Sequence, residues 1–405
     1  MNKNSGNAAT TRKLIETTVR ILDGEAVSDD EQQQVLLADD SEFIAFLNYH
    51  RIGAVLNQYV SGTVETHIGR QAIKVASDLE EFRLVAEQIS TAYKRDRIHY
   101  AFLKGIQLLE TVYKSKPVRP MGDVDLLVSK QDVSRACSVL EELGCLYPER
   151  QIGAWFLRRL HYEITMQRGS VDIDVHWGLD HPLTLYPVST EELLNSTDKF
   201  SVGKASANGV STEHMLIHLI LHLDRESNLS VLDRVGGDRL EVLRRAQEED
   251  WPYLIRVLDI VQLLSVNAAI FESGGLLRIL RTHEIETPAL YVLELCRLLL
   301  PRSMRRWSDQ IDQLKNPRRF GISEIAQLVD SAVGNRHFAG LNMRPIRIVT
   351  LIELLLLGTN QSGSRTWKDC VRGILSTPKR LAEIVVRTAW GGSWAVLGSM
   401  AKSLR

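Results

Sequence analysis

The fold is predicted first from residues 122–128, Gly-Asp-Val-Asp-Leu-Leu-Val. Its polar and apolar residues alternate and then become apolar, a pattern typical of a β-strand that runs into a core. Side chains two positions apart on a strand lie on the same face, so Asp123 and Asp125 should point the same way. Two carboxylates this close repel each other, and a bound Mg²⁺ removes that penalty. The stretch therefore predicts a strand that presents a metal-binding carboxylate pair.

A second acidic stretch follows, Val-Asp-Ile-Asp-Val-His-Trp at residues 171–177. Together with residues 161–169 (HYEITMQRG) it predicts a β-hairpin. Asp172 and Asp174 alternate with apolar residues, so they should also share one face of a strand. A third carboxylate on a strand beside the first pair would complete a site for two metal ions. Such a site activates an attacking hydroxyl and stabilises a leaving phosphate oxygen.

A glycine stands upstream, between a predicted strand and a predicted helix. Residues 98–105 (IHYAFLKG) begin as a short apolar run, and helical spacing starts after Gly105. Such a junction exposes backbone N–H groups and the positive end of a helix dipole, which bind anions. Gly105 would let a phosphate approach the main chain, and Lys104 either adds a positive charge or points away. Arg119 either grips a phosphate or pairs with an acid to hold the loop before the aspartates.

The order of these segments is more specific than any one of them. Together LKG, VRPMGDVDLLV and VDIDVHW resemble the uncharacterised nucleotidyltransferase family of the polymerase-β-like superfamily, and more distantly the abortive-infection type nucleotidyltransferases. The resemblance spans about residues 40–265. It implies a compact mixed sheet that carries metal-binding acids with helices packed behind it. It also implies an NTP substrate, with ATP as the first choice, and Mg²⁺ or Mn²⁺ as the cofactor.

The same resemblance assigns roles to individual residues. Gly105 corresponds to the phosphate-loop glycine, and Asp123 and Asp125 correspond to the metal-binding pair. Asp174 is the best match to the third acid, because it directly precedes the family-like Val-His-Trp. Asp172 lies on the same strand face and is a rival for that role.

The leading hypothesis is metal-dependent transfer of an NMP group from an NTP to an acceptor hydroxyl, with release of pyrophosphate. A small molecule, a sugar, a protein and an RNA are all open as acceptors. Ile106 stands where many relatives have a second Gly or Ser, and this favours an alternative, a catalytically inactive nucleotidyltransferase-like scaffold or binding protein. A toxin-like enzyme that modifies tRNA is a third hypothesis, to which the net charge of −1 gives little support.

The rest of the chain predicts helices on both sides of this core. Apolar residues at three-to-four spacing over residues 43–60 predict one helix that starts near Ser41. Residues 203–209 (GKASANG) predict a loop. The predicted fold is α+β, with a small mixed β-sheet. Its regions are an N-terminal helical region (1–97), a nucleotidyltransferase-like α/β core (98–205) and a C-terminal helical region (206–405).

Three histidines recur every four residues after the core. His214, His218 and His222 should therefore lie on one face of a helix. A metal site is one interpretation, but the stretch lacks the glutamate of the HExxH motif. A helix face that lines the cleft, or a partly buried polar stripe, is the preferred interpretation.

Composition limits the class of protein. Of the 405 residues 44% are hydrophobic and 24% are charged, as in globular proteins. Four cysteines without a CxxC pair, no apolar leader and no apolar run of about 20 residues predict a cytoplasmic protein without integral membrane association. The basic and apolar residues of 378–405 predict a packed terminal helix or one that makes peripheral contact with a membrane surface or partner.

Overall fold

Six strands form one mixed sheet in the order β3-β4-β2-β1-β6-β5. The computed structural model describes residues 3–114, 116–147, 162–179, 188–226, 239–248 and 253–314, which lie in one unit, residues 1–318. The strands are β1 (Tyr100–Phe102), β2 (Asp123–Val128), β3 (Glu163–Arg168), β4 (Val171–His176), β5 (Thr197–Val202) and β6 (Ala205–Val210). β2 runs parallel to β4 and antiparallel to β1, and β1 runs parallel to β6. β3–β4 and β5–β6 are antiparallel hairpins.

Helices precede, interrupt and follow the sheet. Those before it are α1 (Lys3–Leu22), α2 (Asp29–Leu36), α3 (Ser41–His50), α4 (Gly53–Val60) and α5 (His67–Arg95). Those between its strands are α6 (Lys104–Thr111), α7 (Val133–Glu142) and α8 (Thr190–Asn195). Those after it are α9 (Thr212–Glu226), α10 (Arg239–Glu248), α11 (Tyr253–Val266), α12 (Ala268–Phe271), α13 (Gly275–Thr282), α14 (Glu286–Leu299), α15 (Pro301–Met304) and α16 (Ser308–Asp312).

The two faces of the sheet have different roles. Val124 and Leu126 of β2 pack with Ile173 and Val175 of β4 into a core beneath α5 and α7. Because side chains alternate along a strand, the intervening residues of both strands face the other way. Leu127 joins the second core there, which the leucine-rich helices α9, α11 and α14 share. The alternation that buries one face therefore gathers the strand aspartates on the opposite face.

The prediction of one helix over residues 43–60 is wrong, because two helices, α3 and α4, occupy that range. α3 ends at Arg51, whose φ of 56° is left-handed and whose N–H donates to the carbonyls of Leu47 and Asn48. Asp40, not Ser41, caps α3 by accepting a hydrogen bond from the backbone N–H of Phe43. The break matters for the site because it places Arg51 close to the start of β2. A Cβ added to Gly122, just before β2, would lie 3.6 Å from Nη1 of Arg51.

The prediction of a loop over residues 203–209 is also wrong, since most of this stretch belongs to strand β6 (Ala205–Val210). Gly203, with φ of 55°, makes the tight turn from β5. The strand lacks the usual apolar alternation, and at one position it needs a residue without a side chain. A Cβ on Gly209 would overlap the side chain of Gln107, whose Nε2 donates to the carbonyl of Val210 at 2.6 Å.

The α+β fold with a mixed sheet between helical regions is confirmed. The region boundaries at 97/98 and 205/206 stay predictions. Over the part of the chain that the structure describes, no helix combines the length and the hydropathy needed to cross a bilayer. The basic stretch at 378–405 lies outside the described residues, so its predicted peripheral contact stays a prediction.

Candidate active site

The two acidic stretches meet on neighbouring parallel strands. The β2–β4 register pairs Asp123 with Asp172 and Asp125 with Asp174. Paired residues of adjacent strands lie about 4.7–4.9 Å apart on the same face. One oxygen of Asp125, one oxygen of Asp174 and one ring nitrogen of His176 all lie within 4.8 Å of one another. The structure therefore brings Asp125 and Asp174 into one group with His176, and Asp123 and Asp172 form a neighbouring register pair.

Asp125 is the most deeply buried acid of the group, with 2% of its surface exposed. Its Oδ1 accepts a hydrogen bond from Nζ of Lys104 at 3.1 Å and lies 3.0 Å from Nε2 of His176. Its Oδ2 is buried and has no hydrogen-bond partner among the described residues. Burial opposes ionisation of Asp125, but Lys104 and His176 outweigh burial and hold the pKa below its usual value. Asp125 is thus a buried anion with one oxygen left over.

The neighbouring carboxyl groups show the cost of crowding. The negative charge of Asp125, and then burial, raise the pKa of Asp123 to about 6. Burial, and next to it the charge of Asp125, raise the pKa of Asp174, although Thr165 opposes this by donating to its Oδ1 at 2.6 Å. Electrostatically, the group is short of positive charge.

Asp172, the other candidate for the third acid, occupies a different position from Asp174. It is the register partner of Asp123 at the start of the strands, and its Oδ1 accepts a hydrogen bond from Nε2 of Gln167 at 3.1 Å. Asp174, one pair deeper, lies beside Asp125.

Lys104 begins α6 and points at the carboxylates rather than away from them. Its φ of 38° turns the chain sharply into the helix. The next residue, Gly105, is buried, and a Cβ there would lie 2.8 Å from Sδ of Met121 and 3.4 Å from Nη1 of Arg119. The glycine therefore lets the loop before β2 pack against the first turn of α6. Leu103 at the N-cap supplies no side-chain hydrogen bond to that turn.

Arg119 pairs with an acid that the sequence did not indicate, Asp259 of α11. Nε of Arg119 donates to Oδ1 of Asp259 at 2.9 Å, and Nη2 donates to Oδ2 at 2.8 Å. The hydroxyl of Tyr113 also donates to Oδ1 at 2.9 Å. The two side chains are 12% and 1% exposed, so this is a buried, two-pronged ion pair. Of the two interpretations of Arg119, this geometry favours the one in which it holds the loop.

Two further arginines, Arg51 and Arg256, lie near Asp123, and the sequence did not indicate them. Burial lowers the pKa of Arg256, on α11, to about 10, and the positive charges of Arg51 and Arg119 lower it further. The negative charges of Asp259 and Asp123 oppose this lowering of the pKa. Arg256 stands three residues before Asp259, so the two share a helix face. That spacing was visible in the sequence, but nothing there connected it to the aspartates.

The three histidines of α9 divide between two places. His218 is buried, and its charge acts on Asp125 to lower the pKa of that carboxyl. Nδ1 of His222 lies 3.3 Å from Nη1 of Arg256. His214 instead contacts Ser196 and Ser211 at the start of the helix. His218 thus lies with Asp125 and His222 with Arg256, whereas His214 lies elsewhere, and the interpretation of the spacing as a helix face that lines the cleft stays a prediction.

Comparisons with known proteins place these residues within a family. No curated protein matches the chain. The model of a family described as uncharacterised nucleotidyltransferase matches residues 29–301, about two thirds of the chain, and spans all the aspartates above, Lys104 and Arg256. The chain therefore belongs to this uncharacterised nucleotidyltransferase family.

Proposed function

We propose that this protein transfers an NMP group from an NTP to an acceptor hydroxyl and releases pyrophosphate, with a divalent cation held by Asp123, Asp125 and Asp174. The observation that carries the proposal is the register of β2 and β4, which sets Asp125 beside Asp174. Family membership supports the general chemistry, nucleotidyl transfer.

The side chains present suit a hard cation such as Mg²⁺ or Mn²⁺. Oδ2 of Asp125 is buried without a hydrogen-bond partner in the described part of the chain, and the pKa values of Asp123 and Asp174 are raised. All three residues offer carboxylate oxygens, which hard cations prefer. Asp172 is the alternative third acid. When bound, the cation would offset phosphate charge and favour loss of the acceptor's proton.

The surrounding residues hold the carboxylates in position. Lys104 and His176 both contact Oδ1 of Asp125, which leaves Oδ2 for another ligand. Thr165 fixes Asp174 through the hydrogen bond to its Oδ1. Fixed donors and acceptors of this kind spare the reaction the cost of reorganising them.

We assign the triphosphate to the basic side of the site. Arg51 lies beside Gly122, directly before Asp123, and Arg256 interacts electrostatically with Asp123. The first turn of α6, with no side-chain cap, adds backbone N–H groups and the positive end of its dipole. Arg119 then positions the loop before β2 and does not contact the nucleotide.

The feature that favoured an inactive scaffold has another explanation. Ile106 is 1% exposed and packs in the core with Val124 and Leu126. A serine at this position would place its hydroxyl in that core. Ile106 is therefore a packing residue of α6, and its presence does not argue against transfer.

The experiment uses α-labelled and γ-labelled NTPs, Mg²⁺ and cell extract with the full chain. Transfer of the α label but not the γ label to a macromolecule or metabolite is expected, and chelator should abolish it. Asp123→Asn with Asp125→Asn should also abolish it, whereas Asp78→Asn, which changes an exposed acid of α5, should not. Undiminished α-label transfer by the double variant would overturn the assignment.

A further inference from the structure

A second group of ligand-type side chains lies on elements other than β2 and β4. Glu192 belongs to α8, His214 to α9, and His283 directly follows α13. One ligand atom from each lies within 4.8 Å of the other two. Nε2 of His214 is 3.7 Å from Oε1 of Glu192, and the rings of His214 and His283 are 5.3 Å apart between centroids. Three elements therefore converge on one point.

Hydroxyl groups surround one ring nitrogen of His214. Oγ of Ser196 donates to the carbonyl of Glu192 at 2.8 Å and lies 2.9 Å from Nδ1 of His214. Oγ of Ser211 lies 2.9 Å from the same nitrogen. The other ring nitrogen, Nε2, is the one that faces Glu192.

A carboxylate that faces two imidazole rings favours positive charge between them. A metal cation supplies the charge and leaves both imidazoles neutral, as metal-bound histidines are. Glu192 is exposed and His283 is half-buried, so an ion can enter from solvent.

We propose that Glu192, His214 and His283 form a Zn²⁺ site. Two imidazoles and one carboxylate are a common ligand set for zinc. Zinc bonds of about 2.0–2.1 Å in a tetrahedron set ligand atoms about 3.3–3.4 Å apart, close to the 3.7 Å between His214 and Glu192. Ser196 and Ser211 orient the ligating ring from behind, as partners of metal-bound histidines do. The site would join the segment before β5 to the helices that follow the sheet.

This set differs from the one that the sequence spacing suggested. His218 and His222, which would be the co-ligands under the less favoured metal interpretation of the repeat, lie with Asp125 and Arg256 instead. The zinc proposal is independent of the proposed nucleotidyl transfer, because its ligands are none of the residues assigned to that reaction.

The test measures Zn²⁺ binding by the full chain after treatment with chelator, in excess Mg²⁺, by competition with a chromogenic chelator. Wild type should bind one more equivalent of Zn²⁺ tightly than Glu192→Gln or His283→Ala. A matched control, His99→Ala, which removes an exposed histidine, should bind as wild type does. Co²⁺ in place of Zn²⁺ should give visible absorption bands of tetrahedral intensity in wild type.

Ser196→Ala provides a second measurement that removes no ligand. It should weaken Zn²⁺ binding about 10–100-fold, as loss of an outer hydrogen bond to a ligating histidine does. Glu192→Gln changes an exposed side chain, so it should fold as wild type does, which circular dichroism checks. Equal Zn²⁺ binding by wild type, Glu192→Gln and His283→Ala would overturn the proposal.

Discussion

Asp125 of β2 is the register partner of Asp174 of β4, although the hairpin strand β3 and the helix α7 separate them along the chain. The parallel pairing of β2 with β4 makes them neighbours, and the alternation of each strand puts both on the face away from α5 and α7. The electrostatic cost of that arrangement is visible in the raised pKa values of Asp123 and Asp174.

That cost predicts how stability depends on pH. The pKa of Asp123 is raised from 3.8 to about 6, so the folded protein holds this proton more tightly than the unfolded chain. The resulting stabilisation is complete below pH 3.8 and is lost as the pH rises through about 6. Asparagine imitates the neutral acid. In chelator, Asp123→Asn should therefore be more stable than wild type at pH 8, by at most about 3 kcal/mol.

Urea unfolding at pH 4 and pH 8 measures the effect, and the advantage of the variant should shrink at pH 4. Mg²⁺ should reduce the difference at pH 8 by stabilising wild type more than the variant. A variant less stable than wild type at pH 8 in chelator would show that Asp123 is not under repulsion.

The ion pair between Arg119 and Asp259 predicts a structural effect. Asp259→Ala leaves a buried guanidinium without its carboxylate and should lower the free energy of unfolding by about 3–5 kcal/mol. Replacing both partners, Arg119→Met with Asp259→Leu, should recover most of that loss. Urea unfolding of the single and double variants makes the comparison. If Asp259→Ala unfolds like wild type, the pair does not hold the loop.

Packing around Gly105 separates two roles for that glycine. In Gly105→Ala the new Cβ meets Sδ of Met121, so we expect a loss of about 1–3 kcal/mol through overpacking. Adding Met121→Ala removes the contact and should make the double variant more stable than the two single effects predict. Strictly additive effects would contradict the packing role and leave phosphate approach as the reason for the glycine.

Arg256 is predicted to bind phosphate. Arg256→Met should weaken NTP binding by about tenfold or more, the scale of a charge-assisted hydrogen bond. It should leave the free energy of unfolding nearly unchanged, because burial already opposes the charge and lowers the pKa to about 10. Calorimetric titration with Mg²⁺-NTP measures the affinity. Arg281→Met, on an exposed residue of α13, is the control, and equal affinities in the two variants would contradict the assignment.

The acidic strands could be predicted because their alternation is local and strong. DVDLLV and VDIDVH are β2 and β4 as the structure has them, and Gly169 turns the chain between β3 and β4. The exact register could not be predicted, since it depends on how two separate strands pair. It determines that Asp174, rather than Asp172, lies beside Asp125.

Other features had no local signal. Arg51 ends α3 in a left-handed conformation that glycine or asparagine usually marks, so the break before α4 was not visible in the sequence. β6 has no apolar alternation to mark it as a strand, and its Gly209 leaves room for the side chain of Gln107. Arg119 and Asp259 are far apart in the chain, and only the packing of α11 against the loop brings them together.

Mn²⁺ binding to wild type, Asp125→Asn and Asp174→Asn, followed by the paramagnetic signal of the free ion, tests whether the two aspartates hold a metal ion. Asp78→Asn is the control, and circular dichroism checks the fold of each variant. We expect both site variants to bind Mn²⁺ at least about tenfold more weakly, as loss of a charged ligand implies, while the control is unchanged. Equal Mn²⁺ affinity in all four proteins would contradict a metal site at these residues.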